Sequence, residues 1–371
     1  MLKTLYIHHY RSLQNFELNL TDLNSALLLG RNGAGKSNIF DALEIFQRIG
    51  QGQTQVSALI DEHDFAFGEM DKAIRFELVT QLENQEYHYQ LEIDLPHGFY
   101  QPRVKHESLN VGHQQVFVRK DGKTTLNHHA EFTLDWHHIG LPLISTRNIN
   151  EPIAVFKAWL ARIIVLAPIP SLFNMTSNKE DAYLHRQGQN VLDWLRYQLT
   201  QNPSSYSDIE KFIKQRMPDF LSFKFDSIGR NERELIFLFQ DENKKKLELN
   251  FNQLSDGEKI YFLTAILLVN IVDDNPTLCF WDEPDNFVSL LELSQFISAC
   301  RKQFENSPNH SQLLVSTHNP KAINEFSSHN SFILSRKNHL HPTRIELLNN
   351  KQYLSPTLLD AFENGELDEW Q

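Results

Sequence analysis

Apolar residues recur along the chain in three rhythms. Between about residues 73 and 135 they alternate with polar ones, as in Ala73-Ile74-Arg75-Phe76-Glu77-Leu78-Val79 and Tyr87-His88-Tyr89-Gln90-Leu91-Glu92-Ile93. A period of two predicts antiparallel strands with one exposed face. Gln115-Val116-Phe117-Val118 continues the pattern, and the turn Lys120-Asp121-Gly122-Lys123 closes it. A second rhythm is the short unbroken apolar run, which predicts a buried strand: Ala26-Leu27-Leu28-Leu29, Ile163-Ile164-Val165-Leu166, Leu278-Cys279-Phe280-Trp281, Leu313-Leu314-Val315 and Phe332-Ile333-Leu334. Further strands are predicted over residues 4–8 and 16–20, and a hairpin over 235–239 and 247–251. The third rhythm is helical, over residues 39–46, 190–199 and 206–214. The run 260–272, between Lys259 and Asp273, is too short to span a bilayer and predicts a buried core helix.

Candidate chemistry begins where a buried run meets a helix. Gly30-Arg31-Asn32-Gly33-Ala34-Gly35-Lys36-Ser37 fits G-x-x-x-x-G-K-[ST] between a strand and a helical pattern. That arrangement predicts a phosphate cradle, in which backbone N–H groups and a helix N-terminus face the anion. Gly30, Asn32, Gly33, Gly35, Lys36 and Ser37, with Asn38 after them, are the candidate nucleotide contacts. Lys36 would reach the β- and γ-phosphates, and the Ser37 hydroxyl would ligate Mg²⁺.

Three later stretches add to the site. The run ending Trp281-Asp282-Glu283 is expected on a strand beside the phosphate loop, with Asp282 toward Mg²⁺ and Glu283 placed to orient or deprotonate water. Leu254-Ser255-Asp256-Gly257-Glu258 opens the long apolar helix, where a helix start with a Ser hydroxyl makes a second anion site or a plain N-cap. Val315-Ser316-Thr317-His318 ends a strand with His318 in reach of a γ-phosphate.

Taken in this order, the four motifs resemble the heads of ABC-type ATPases. Residues 30–38 look like the SMC, RecF and OLD branch, and His9-Tyr10-Arg11-Ser12-Leu13 resembles that branch's N-F-R-S-L opening. Pro168-Ile169-Pro170 with Gly188-Gln189-Asn190-Val191 is similar to a group of bacterial stand-alone ATPases. The resemblance implies an α/β fold: a P-loop NTPase head with a mixed sheet, an antiparallel β subdomain and a small helical subdomain. It also implies ATP sandwiched between two copies, with Ser255 and Gly257 acting in trans on nucleotide held by Lys36 and Ser37 of the other. Hydrolysis through Glu283 and His318 would then release a C₂ homodimer. In the resembling OLD pattern Asp-Glu-Pro is followed by Glu-x-x-Leu-His, whereas here it is followed by Asp285-Asn286-Phe287-Val288-Ser289. The glutamine that senses Mg²⁺ in such heads has no clear counterpart, Gln53 and Gln55 being candidates, and Arg147 is a candidate nucleotide neighbour better read as solvated.

The gap between motifs narrows the kind of head. Ser37 and Leu254 lie 217 positions apart, too far for a transporter subunit, and the gap lacks the sustained heptads of an SMC coiled coil. The expected organisation is an N-terminal ATP-binding lobe with a β-rich insertion over 1–168, a helical subdomain over 169–222, a C-terminal ATPase lobe over 223–345, and a tail over 346–371. The 53 residues after His318 hold no D-x-D pair, so the fused nuclease of OLD proteins is not expected.

Composition changes this picture little. Hydrophobic residues at 41% support a real core, and a net charge of −12 does not advertise nucleic-acid binding. Lys244-Lys245-Lys246 and Arg301-Lys302 are the basic clusters, each better read as a solvated face. Two cysteines without metal-like spacing, and an N-terminus without a signal-peptide core, predict a cytoplasmic chain with no membrane span. The histidine pairs His128-His129 and His137-His138 would point apart on a strand, so no metal other than Mg²⁺ with ATP is expected. Two functions fit: an ATPase subunit of an anti-phage defence system with a separate effector, or a RecF-like ATPase that binds DNA. A nucleotide-driven scaffold for protein partners is the third.

Overall fold

The computed structural model describes residues 1–127, 130–271, 276–350 and 355–366. His128, His129, Val272 and Asp273 lie outside them.

The unbroken apolar runs become the middle of the molecule. A six-stranded sheet runs in the order Ile164–Leu166, Leu278–Asp282, Gln312–Ser316, Ser25–Leu29, Ser331–Ser335 and Arg344–Leu347, all parallel except the last. Parallel strands covered on both faces have no polar side to show, which is why these segments carry no alternation. The pleat divides them between two cores. Leu28, Phe280, Leu314 and Leu334 face one cluster, while Leu27, Leu29, Trp281, Val315 and Ile333 face the other.

The first core lies between this sheet and an eight-stranded antiparallel one. That second sheet runs in the order Phe16–Asn19, Leu2–His8, Ile74–Leu82, Gln85–Asp94, Arg103–Val111, Gln114–Lys120, Lys123–Leu126 and Ala130–Thr133. Its alternating strands bury every second residue, as Ile74–Leu82 does throughout. The helix Lys36–Gly50 follows the phosphate loop and packs on the helix Pro152–Ala161.

The second core holds the helices Val191–Gln201, Asp256–Asn270 and Leu293–Glu305 and a small sheet. In that sheet Arg233–Gln240 pairs with Phe220–Ser227 on one edge, and with Thr176–Ser177 and Lys246–Asn250 on the other. Asp256–Asn270 is buried nearly all round, as its uniformly apolar sequence demands.

Two expectations need correcting. The strand ending in Asp282 is not next to the phosphate-loop strand, because Gln312–Ser316 runs between them and pairs with both. Both carboxylates still arrive at the same sheet end, since the three strands are parallel. His137 and His138 are not on a strand; they follow Ala130–Thr133 in a turn, where His138 Nδ1 lies 3.1 Å from Thr54 Oγ1.

Candidate functional site

The phosphate loop joins the buried strand Ser25–Leu29 to the helix Lys36–Gly50. Gly35 is the N-cap, with φ 104° and no side-chain cap, so the first helical N–H groups stay open toward solvent. A Cβ at Gly35 would sit 2.4 Å from Thr343 Oγ1, so glycine is required by space as well as by conformation.

The back wall of the loop is a polar clasp. Thr343 Oγ1 donates to Ala34 O at 2.8 Å and lies 2.7 Å from Ser12 Oγ, which accepts from Asn38 Nδ2 at 2.7 Å. The Asn38 side chain is therefore placed on Ser12. Arg11, at φ 50°, pairs with Asp41 and with Asp64, the latter at 2.7 Å. The segment that resembles a family opening thus braces the loop and its helix from behind.

Lys36 Nζ donates to Gly30 O at 2.5 Å and meets His318 Nε2 at 2.9 Å. An ammonium is a donor, so this ring nitrogen accepts and His318 is neutral with its proton on Nδ1. Burial, and then Lys36, push His318 below its ordinary range. Burial likewise lowers the Lys36 ammonium, against the upward pull of Asp282 and Glu283. Asp282 accepts from the Ser316 hydroxyl, and burial raises its carboxyl above the usual range despite that bond. Glu283 sits at φ 48°, held by its N–H on Ser316 O at 2.9 Å, and its carboxylate accepts from Asn286 at 2.9 Å. A glutamate kept in the left-handed region at a strand end is the kind of backbone strain that gathers at functional sites. Thr317 ties the His318 turn to this loop by donating to Asp285 at 2.6 Å.

Ser37 and Asp282 offer hard oxygen donors at the same sheet end. Among the described residues no group of three or more His, Cys, Asp or Glu could hold a metal ion. One carboxylate and one hydroxyl, completed by phosphate oxygens and water, is a donor set that fits Mg²⁺.

The turn with Ser255 and Gly257 is built differently. Ser255 caps the helix Asp256–Asn270 in a capping box, its Oγ 2.8 Å from Glu258 Oε2. A Cβ at Gly257 would lie 3.1 Å from Phe287 O, which brings the turn against the loop that follows Glu283. Ser255 and Gly257 line a cavity of about 520 Å³ with Arg216, Tyr261 and Phe287, and none of its described lining residues comes from the phosphate loop.

A larger cavity of about 1030 Å³ opens beside Asp282 and Glu283, lined also by Arg186, Gln187 and Gln189. Arg186 donates to Asp41 at 2.7 Å and Glu44 at 3.0 Å, and its guanidinium lies 3.9 Å from the Phe40 ring centre. Sequence reasoning singled out Gln53 and Gln55 instead. Gln53 donates to Gln55 O at 3.4 Å, and neither is among the residues described as lining this cavity. The missed signal was the pairing of residues 186–187 back onto 167–169, through Ala167 N to Arg186 O and Ile169 N to Gln187 O. Arg147 is exposed, and so are Lys244 and Lys245 after the hairpin turn and Lys246 at the start of the strand Lys246–Asn250.

The fold is that of an SMC-like ATPase head. Residues 1–95 match a family model described as "AAA ATPase domain", and residues 161–324 match one described as "AAA domain, putative AbiEii toxin, Type IV TA system". An SMC head bound to the C-winged helix domain of ScpA superposes with a TM-score of 0.56 at 13% identity, covering 98% of this chain and 99% of that one. An SMC head with an extended coiled coil, bound to the C-terminal domain of ScpA derived from Pyrococcus furiosus, gives 0.54 at 12% identity over 98% of each chain. No curated protein matches the chain in sequence. No helix among the described residues is long and apolar enough to cross a membrane.

Proposed function

We propose that the chain is an ATP-driven switch in which two copies close on two ATP molecules, as the ATPase subunit of an anti-phage defence system with a separate effector. The observation that carries the dimer is the separation of the two half-sites: the cavity lined by Arg31, Asn32, Gly33 and Ala34 and the one lined by Ser255 and Gly257 have no residue in common. A second copy would bring its Ser255 and Gly257 to the nucleotide on Lys36 and Ser37.

In this reading the open N–H groups of Gly33, Gly35, Lys36 and Ser37 bind phosphate oxygens, the Ala34 N–H being held by Arg31 O at 3.1 Å, and Lys36 exchanges Gly30 O and His318 for them. Ser37 and Asp282 would hold Mg²⁺, which supplies charge neutralisation when bound. Glu283, fixed through its own N–H and Asn286, takes the proton of the attacking water, and His318, released by Lys36, shifts its proton from Nδ1 to Nε2 and donates toward the γ-phosphate. The loop through Phe287 touches Gly257, so a change at Glu283 reaches the surface offered to the partner.

The defence role is supported by the family model over residues 161–324, whose description includes a toxin of a type IV system. The SMC heads, recorded with ScpA domains, support a separate protein partner by analogy of fold. The exposed Lys244, Lys245 and Lys246 favour the second reading, a RecF-like ATPase on DNA; salt-dependent duplex binding lost on neutralising them would select it. The test of the switch is Glu283→Gln with ATP and Mg²⁺: turnover should fall about 10²–10⁴-fold while an ATP-dependent dimer accumulates in light scattering. Normal turnover, or a monomer at saturating ATP, would overturn it.

A further inference from the structure

Away from the phosphate loop, a cavity of about 350 Å³ lies among the helices Lys36–Gly50, Pro152–Ala161, Val191–Gln201 and Asp256–Asn270. Its walls join Gln47 of the phosphate-loop helix, Asn270 near the end of the long buried helix, and Thr277 just before the strand that carries Asp282. The size lies at the lower end for small-molecule sites.

Gln47 Nε2 donates to Ile163 O at 2.6 Å and Asn270 Nδ2 to Ile266 O at 2.6 Å, but two polar atoms of the walls stand without partners. Arg162 Nε is buried with no hydrogen bond, and so is Asn270 Oδ1. Burial penalises the Arg162 guanidinium, and the group that favours its charge is the neutral Tyr183. Arg162, Tyr183 and Tyr197 line the same cavity, and the Tyr183 hydroxyl, raised chiefly by burial, also feels Tyr197, Arg162 and Asp181. Tyr183 is held through its backbone, its N–H donating to Asp181 at 3.2 Å and its carbonyl accepting from Asn190 at 2.8 Å, while the side-chain tips of Arg162, Tyr183, Tyr197 and Gln198 make no hydrogen bond among the described residues. Trp194 forms an aromatic wall, with Leu267 and Ile271 beside it. Buried polar groups are normally satisfied, and the Arg162 guanidinium has no carboxylate partner among the described residues. Arginine and tyrosine donors converging beside an aromatic wall fit an oxyanion on a flat body.

We propose that this cavity binds a small planar organic anion, with its carboxylate or phosphate on Arg162, Tyr183 and Tyr197 and its ring against Trp194. The site stands apart from Lys36 and does not depend on the nucleotide reading. Gln47, Tyr183 and Leu184 line both this cavity and the one beside Asp282, so an occupant would touch the walls of the catalytic end.

Benzoate and phenyl phosphate are the probes, titrated into the full chain by calorimetry and ligand-observed NMR. The expected result is saturable binding of at least one probe at one site per chain, unchanged by Lys36→Ala. Arg162→Met should weaken it about tenfold or more, and Tyr197→Phe about threefold. Gln198→Glu, which sets a like charge at the oxyanion, should weaken it about tenfold and serves if Arg162→Met does not fold. Absence of saturable binding by both probes, retention of affinity in a folded Arg162→Met or Gln198→Glu chain, or loss in Lys36→Ala would overturn the proposal.

Discussion

The chain has two glycine-containing helix starts that look alike in sequence and are built for opposite situations. At the phosphate loop the helix begins on Gly35 without a side-chain cap, and the polar side chains gather at the rear of the loop, through Ser12, Thr343 and Asn38. At the second start Ser255 and Glu258 satisfy each other's backbone N–H groups, and Asp256 and Glu258 put negative charge in the first turn. That charge complements the helix dipole and makes the turn, by itself, a poor anion site. In the proposed reading the first start takes phosphate alone, and the second meets phosphate already held by the partner's loop. The contrast favours a site shared between copies over two independent ones.

The largest effects should separate the two starts cleanly. Lys36→Ala should cost at least about 100-fold in nucleotide affinity by calorimetry, since a buried charge-assisted contact to phosphate is lost. Ser255→Arg should leave that affinity within about threefold, yet abolish turnover. Equal losses of affinity in both variants would erase the distinction.

A smaller effect tests the clasp behind the loop. Thr343→Val keeps the shape but leaves Ala34 O and Ser12 Oγ short of a partner, so unfolding in urea should show a loss of about 1–3 kcal/mol. A neutral result would mean that the loop does not lean on this hydroxyl. The mildest effect is a pH dependence. His318 titrates below its ordinary 6.5 in the folded chain, because of burial and Lys36, while Asp282, Glu283 and Asp285 pull upward. The unfolded chain therefore binds the proton more readily. The stability from neutral His318 is present above about pH 6.5 and is lost as pH falls through the lower folded value. Thermal unfolding at pH 7.5 and 5.5 should show a larger acid loss for the wild type than for His318→Gln; equal losses would remove His318 from the account.

Much of this architecture is legible in the residues themselves. Ala26-Leu27-Leu28-Leu29 and Leu278-Cys279-Phe280-Trp281 read as buried strands because parallel strands covered on both faces admit no polar side. The alternation over Ile74–Leu82 reads as a half-exposed sheet for the converse reason. Phe220–Ser227 escaped notice because Lys224 and Asp226 interrupt its apolar pattern near an exposed edge. Arg344–Leu347 is a four-residue edge strand, too short and too polar to announce itself. The candidate site motifs are visible because each is local, a strand end and its turn. The clasp of Ser12 on Thr343 spans 331 positions, and neither residue type is distinctive, so no local pattern points to it. The place of Gln187 and Gln189 beside Asp282 is hidden likewise, since it follows from chain pairing across the sheet end.

The shared site is tested most directly by mixing two inactive variants, Lys36→Ala and Ser255→Arg, and measuring ATP hydrolysis. Each homodimer is defective at both sites, whereas a mixed dimer pairs one intact phosphate loop with one intact Ser255 turn. The account predicts that an equimolar mixture recovers about a quarter of wild-type turnover, since half of randomly paired dimers are mixed and each keeps one whole site. A mixture as inactive as its components, with mixed dimers demonstrably formed, would contradict it.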